Sequence, residues 1–118
     1  MTQYASCVSA NIEEYCLSTE SFEAKCLKNE VIVMTHAVYG RMRMGRCLAN
    51  EPSKLLAAFG DDPTFLGCSA NILGLMERKC SGLNQCEVRG TDNDLQALKP
   101  CYESLKLYLE ASYKCATG

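Results

Sequence analysis

The chain is short of the residues that build reactive sites. It has one histidine, His36, in 118 residues. A zinc centre built on several histidines is therefore excluded. No Gly-rich phosphate loop is present. No apolar run approaches the roughly 18 residues of a membrane span, and no signal-peptide core follows Met1. No N-x-S/T sequon occurs, so N-glycosylation is not expected. Excess positive charge is missing too: net charge is −2 and the pI is about 5.4, which argues against nucleic acid as a partner. Low-complexity tracts, repeats and Pro/Gly/Ser linkers are absent, and the three prolines are scattered. The length suits one domain with a small core. We expect a module of a longer chain, secreted or membrane-anchored.

Cysteine is abundant. Nine occur, at 7, 16, 26, 47, 68, 80, 86, 101 and 115. Cytosolic proteins rarely keep so many thiols, whereas secreted domains use them as staples. Zinc modules bring close C-x₂₋₄-C pairs, but the shortest spacing here is Cys80-x₅-Cys86. Disulfides are therefore favoured over a metal, each contributing ~2–5 kcal/mol. Spacing alone leaves the pairing open. One cysteine must be left over, free or joined to a neighbouring chain.

Hydrophobic periodicity predicts a mixed α+β domain. "SFEAKC" puts Phe22, Ala24 and Cys26 on one face, as a half-buried strand does. "VIVMTHAVY" (31–39) is β-branched and nearly continuous, as in a deeply buried strand. Asn29-Glu30 suits a turn between them. Pro52 sits near the start of a short helix over 51–59, and "GDDPTFLGC" is a turn-rich loop. "SANILGLMERKC" (69–80) predicts a helix capped by Ser69. "QCEV" (85–88) is a short strand, and "RGTDNDLQALKP" a long polar loop. "LYLEASYKC" (107–115) alternates most clearly, with Leu107, Leu109, Ala111, Tyr113 and Cys115 on one face. Cys26 and Cys115 each close an apolar face at a strand end, so pairing them would tie the first core strand to the last. The first 15 residues look like a partly loose leader segment.

Catalysis finds little support. His36 lies in an apolar strand and reads as a structural histidine. No base–nucleophile pair accompanies it, and no cofactor is implied. Asp61-Asp62 and Asp92-Asn93-Asp94 lack the spacing of a calcium loop and read as solvated turns. Recognition remains. In "THAVYGRMRMGRC" (35–47), Tyr39 offers a flat face for a sugar ring or apolar side chain, and Arg41 a planar donor fork. Arg41, Arg43 and Arg46 form a candidate anion patch, for heparan sulphate, against the simpler reading of an exposed loop with arginine stems lying along the surface. Lys99, Lys106 and the acids of 92–94 add hydrogen-bonding groups.

"AVYGR" (37–41), "ERKCSGLNQCEV" (77–88), "PC" (100–101) and "LYLEASYKC" (107–115), with eight cysteines in order from Cys16, resemble the galactose/rhamnose-binding lectin domain of sea-urchin-egg-lectin type. That domain also occurs in latrophilin-like adhesion receptors and axon-guidance coreceptors. The resemblance covers 16–115. It implies a compact α+β fold with antiparallel strands, about two short helices, and the pairs Cys16–Cys47, Cys26–Cys115, Cys68–Cys101 and Cys80–Cys86. Cys7 is left over, available for an intermolecular bond.

The family's sugar site carries over only in part. Its tyrosine is Tyr39, and Lys106 nearly matches its lysine. Its glutamate after the first cysteine is Leu17 here, its aspartate is Lys99, and the glycine past "PC" is Glu103. Its loop asparagine has only Asp92 or Asn93 nearby. Two carboxylate acceptors are thus missing, each worth ~1.5–3 kcal/mol to a bound hydroxyl pair. The expectation is a recognition domain for a protein or complex glycan, with the simple galactose/rhamnose site degraded. The alternative is a working lectin using Tyr39, Lys106 and Asp92 on rearranged loops.

Overall fold

The computed structural model describes residues 12–43, 45–48, 67–101 and 106–117. Its centre is the strand predicted from alternation. The strand Tyr108–Thr117 lies antiparallel against Glu30–Gly40. In chain order the elements are β1 (Glu13–Tyr15), β2 (Phe22–Lys25), β3 (Glu30–Gly40), β4 (Ser69–Asn71), α1 (Leu73–Cys80), β5 (Gln85–Val88), α2 (Asn93–Ala97) and β6 (Tyr108–Thr117). The main sheet runs β1-β6-β3-β4, and β2 pairs with β5 in a second, two-stranded sheet. All pairings are antiparallel. The fold is thus the expected disulfide-stapled α+β domain.

A bulge explains why β3 reads as apolar on both parities. The register breaks between Met34 and His36. Ile32 and Met34 face the core before the break, opposite Cys115 and Tyr113. After it, Ala37 and Tyr39 face the core, opposite Ala111 and Leu109. One extra residue moves the inward set from even to odd positions. His36 and Val38 thereby join the opposite face with Glu110 and Ser112.

Core packing joins the two sheets. Phe22 and Ala24 on β2 are buried while Glu23 and Lys25 are exposed. The Phe22 ring meets Tyr15 edge-on at 5.0 Å and Tyr113 at 6.2 Å, a favoured aromatic geometry. Met76 and Cys80 of α1 and Leu95 of α2 complete the core. A second cluster, Cys47, Leu48 and Tyr108, is separate from it.

Four disulfides close the frame: Cys16–Cys47, Cys26–Cys115, Cys68–Cys101 and Cys80–Cys86. These are the pairs implied by the resemblance, and the second is the one suggested by the strand faces. So many staples suit an oxidising compartment. Cys26, Cys115 and Glu30 cluster as a metal site would, but the two sulfurs are bonded to each other. Among the described residues no helix is long and apolar enough to cross a membrane.

Several local expectations shift. Helix α1 begins at Leu73, because Ser69–Asn71 pairs with Val38–Gly40 as β4. Ser69 is no cap; the Asn71 side chain instead accepts from the Leu73 amide at 3.0 Å. The polar loop after Arg89 contains α2, capped by Asp92. The turn near residue 29 sits at Lys28-Asn29, with the Glu30 amide on the Leu27 carbonyl at 2.9 Å. Glu13–Tyr15, assigned above to the leader, is an edge strand on β6. The 51–59 helix, Asp61-Asp62, Cys7 and Glu103 lie outside the described residues.

Candidate ligand site

Tyr39 and Gly40 end β3 beside β4. Any Cβ on Gly40 would fall on the Cys68 carbonyl oxygen, so only glycine permits this approach. The Arg41 amide donates to the same carbonyl at 2.9 Å. Cys68 is bonded to Cys101. That bond brings the 98–101 segment to the Tyr39 end of the sheet.

Between them lies a cleft of about 160 Å³ lined by Tyr39, Leu95, Gln96, Leu98, Lys99, Cys101 and Leu107. Tyr39 is only 7% exposed. Burial pushes its phenol above the ordinary value, so it stays a neutral hydrogen-bond donor at physiological pH. Lys99 is exposed and, among the described residues, unpaired. Gln96 donates Nε2 to the Gly90 carbonyl at 2.6 Å.

The acids expected nearby are engaged elsewhere. Lys79 reaches Asp92 at 3.0 Å and Asp94 at 2.7 Å. Asp92 also accepts from the amides of Asp94 and Leu95 as the cap of α2. Burial alone would raise its carboxyl, but Lys79 and the two amides outweigh that and hold it low. Asn93 is exposed at the first position of α2. Among the described residues, no carboxylate lines the cleft.

The three arginines differ from a free cationic patch. Arg41 is fully buried, and its Nη1 donates to the Lys106 carbonyl at 2.6 Å. Its guanidinium is therefore buried rather than displayed at the surface as a donor fork. Arg43 pairs with Glu110. Arg46 donates to Glu20 at 2.6 Å and to the Glu14 carbonyl at 2.5 Å. The Lys106 side chain is exposed just before cleft residue Leu107.

His36 is structural in its contacts. Its Nε2 lies 3.0 Å from Glu110 Oε1. Burial favours the neutral Glu110, but Arg43 and His36 overcome it and keep the carboxyl low.

Leu17 lies at another place. It lines a separate cleft of about 290 Å³ with Thr19, Glu20, Ser21, Arg89, Gly90 and Thr91. Its carbonyl packs so closely on Gly90 that a Cβ there would sit 2.5 Å from it. Tyr39 and Lys99 thus share one cleft, whereas Asp92 and Arg41 do not line it. Leu95, Gln96, Leu98 and Leu107 were not expected as site residues. The spacing of Asp92, Leu95 and Leu98, a cap followed by apolar residues three apart, was the available signal. Neither the family models nor the curated proteins contain a match to this chain.

Proposed function

We propose that this is an extracellular recognition domain of the galactose/rhamnose-binding lectin type, working by docking rather than by catalysis. Its ligand is a protein or a complex glycan, and the simple monosaccharide site is degraded. The parent chain is a secreted or cell-surface protein of the adhesion or guidance-receptor kind. One observation carries the reading. The cleft beside Tyr39 and the Cys68–Cys101 bond has Lys99 and Gln96 as its charged and amide groups, and no carboxylate among its described lining. Hexose binding relies on acceptors for neighbouring hydroxyls, and Asp92 and Asp94, drawn to Lys79, do not line this cleft. The disulfide pairing supports the same family frame.

Glycan-array binding and calorimetry test this. Galactose and L-rhamnose should show no affinity in the range of about 1 mM or tighter, while an immobilised cell-surface extract retains the chain in a Tyr39-dependent way. Sub-millimolar binding of either sugar, lost in Tyr39→Ala, would favour the working lectin instead. Arg43 and Arg46 are internally paired, so heparin retention should be weak.

A further inference from the structure

We propose that the Tyr39 cleft receives an acidic segment of a partner protein, with a carboxylate side chain on Lys99 and an adjacent aliphatic side chain against Leu98 and Leu107. This names a ligand class for the site proposed above and rests on that reading.

Charge and polarity of the lining select the occupant. Lys99 is the one charged side chain among the described lining residues. It is exposed and has no acid partner among the described residues. Asp94 and Asp92, the acids that precede Lys99 on the same segment, are bound to Lys79 instead. Lys106, beside the cleft at Leu107, adds a second exposed cation. The Tyr39 hydroxyl makes no hydrogen bond among the described residues, so it can donate to an anion alongside Lys99.

The walls are apolar. Leu98 and Leu107 pack on the core yet remain half-buried, and both line the cleft. An aliphatic side chain placed there removes apolar surface of both partners from water. An acidic saccharide would satisfy Lys99 equally well. Its ring hydroxyls, however, would meet leucines, and Gln96 offers only its amide oxygen and one remaining N–H, the other being engaged by the Gly90 carbonyl. A peptide carries its polar groups on a backbone that can remain at the solvated rim. The observations therefore favour protein over acidic glycan.

The test is an amide NMR titration of the disulfide-intact 118-residue chain. The probes are a blocked peptide with Glu-Leu at its centre, its Gln-Leu and Glu-Ser counterparts, sialyllactose, L-rhamnose and galactose. The Glu-Leu peptide should give saturable shifts at the amides of residues 95–99, 101 and 107, weakening with added salt. Each counterpart peptide should bind at least about tenfold more weakly, and so should Lys99→Glu. Lys99 is exposed, so that variant keeps its fold, which the rest of its spectrum checks. Equal binding of the Gln-Leu peptide, unchanged affinity in Lys99→Glu, or no peptide shifts at these amides would each overturn the proposal. Sialyllactose saturating these amides while the peptides do not would replace it with an acidic-glycan site. Should the peptides fail while a complex glycan binds through Tyr39, the inference falls and the recognition reading stands. Saturation by L-rhamnose or galactose would overturn both.

Discussion

Arg41 Nη1 donates to the backbone carbonyl of Lys106 at 2.6 Å, across a sequence separation of 65 residues. The guanidinium is fully buried. It ties the end of β3 to the segment entering β6, directly behind the wall that carries Leu107. Arg41→Met keeps most of the stem but removes the donor. The Lys106 carbonyl then loses a charge-assisted bond, at a cost of about 2–3 kcal/mol. Urea unfolding should show the lower midpoint. An unchanged midpoint would mean that water replaces the guanidinium freely.

Acid sensitivity follows from Glu110. Its carboxyl is held below the ordinary glutamate value, because Arg43 and His36 outweigh the opposing effect of burial. A carboxylate lowered in the folded state stabilises the fold above its unfolded pKa. That contribution is lost as pH falls through the folded pKa. Asp92 and Glu20 shift in the same direction. Stability should therefore decline as pH drops below about 4.5. Glu110→Gln should lower stability at neutral pH by about 1–2 kcal/mol, with the gap to the native protein closing in acid. Urea midpoints measured across the acid range check both signs.

How much of this was legible depended on whether period-2 alternation survived tertiary contact. β2 and the apolar face of β6 were plain, because one side of each is wet or differently covered. β3 was recognisable as a strand, but its bulge was not. Apolar residues at both parities conceal a one-residue slip, and only the pairing with β6 exposes it. Ser69–Asn71 looked like the first turn of a helix, since pairing with β3 is a long-range event that local periodicity does not encode. α2 was missed because five residues offer too few turns for a pattern. Tyr39 and Lys99 were both named as site residues, and the fold brings them to one cleft. Arg41 was read as a surface fork: a guanidinium's sequence neighbours do not reveal which carbonyl it will meet.

Alanine at two glycines should act in opposite directions. At Gly90 the new Cβ meets the Leu17 carbonyl and side chain. Both are held by the turn after Cys16, so relief requires backbone movement and costs about 1–3 kcal/mol. At Gly74, in the first turn of α1, the closest group is the far end of Arg78 at 3.9 Å. Alanine there loses less backbone entropy on folding and should add about 0.5 kcal/mol. Thermal melting of the two variants gives the signs. A stabilised Gly90→Ala would show that the 89–92 loop is not seated on Leu17.

The staples should differ in weight according to the loops they close. Cys26–Cys115 spans 89 residues of sequence and Cys80–Cys86 only 6. In the chain-entropy account, the long loop constrains the unfolded ensemble far more. Replacing both members of a pair by alanine should cost about 4–5 kcal/mol for the long loop and about 2–3 for the short one. The long bond also joins the end of β2 to β6, whereas the short one joins neighbours, α1 and β5. Denaturant unfolding of the two double variants, with the remaining bonds verified by peptide mapping, measures the difference. Equal losses would mean that residual structure already holds β2 near β6 in the unfolded chain, and the bond would then add little beyond what apolar contacts between Phe22 and Tyr113 provide.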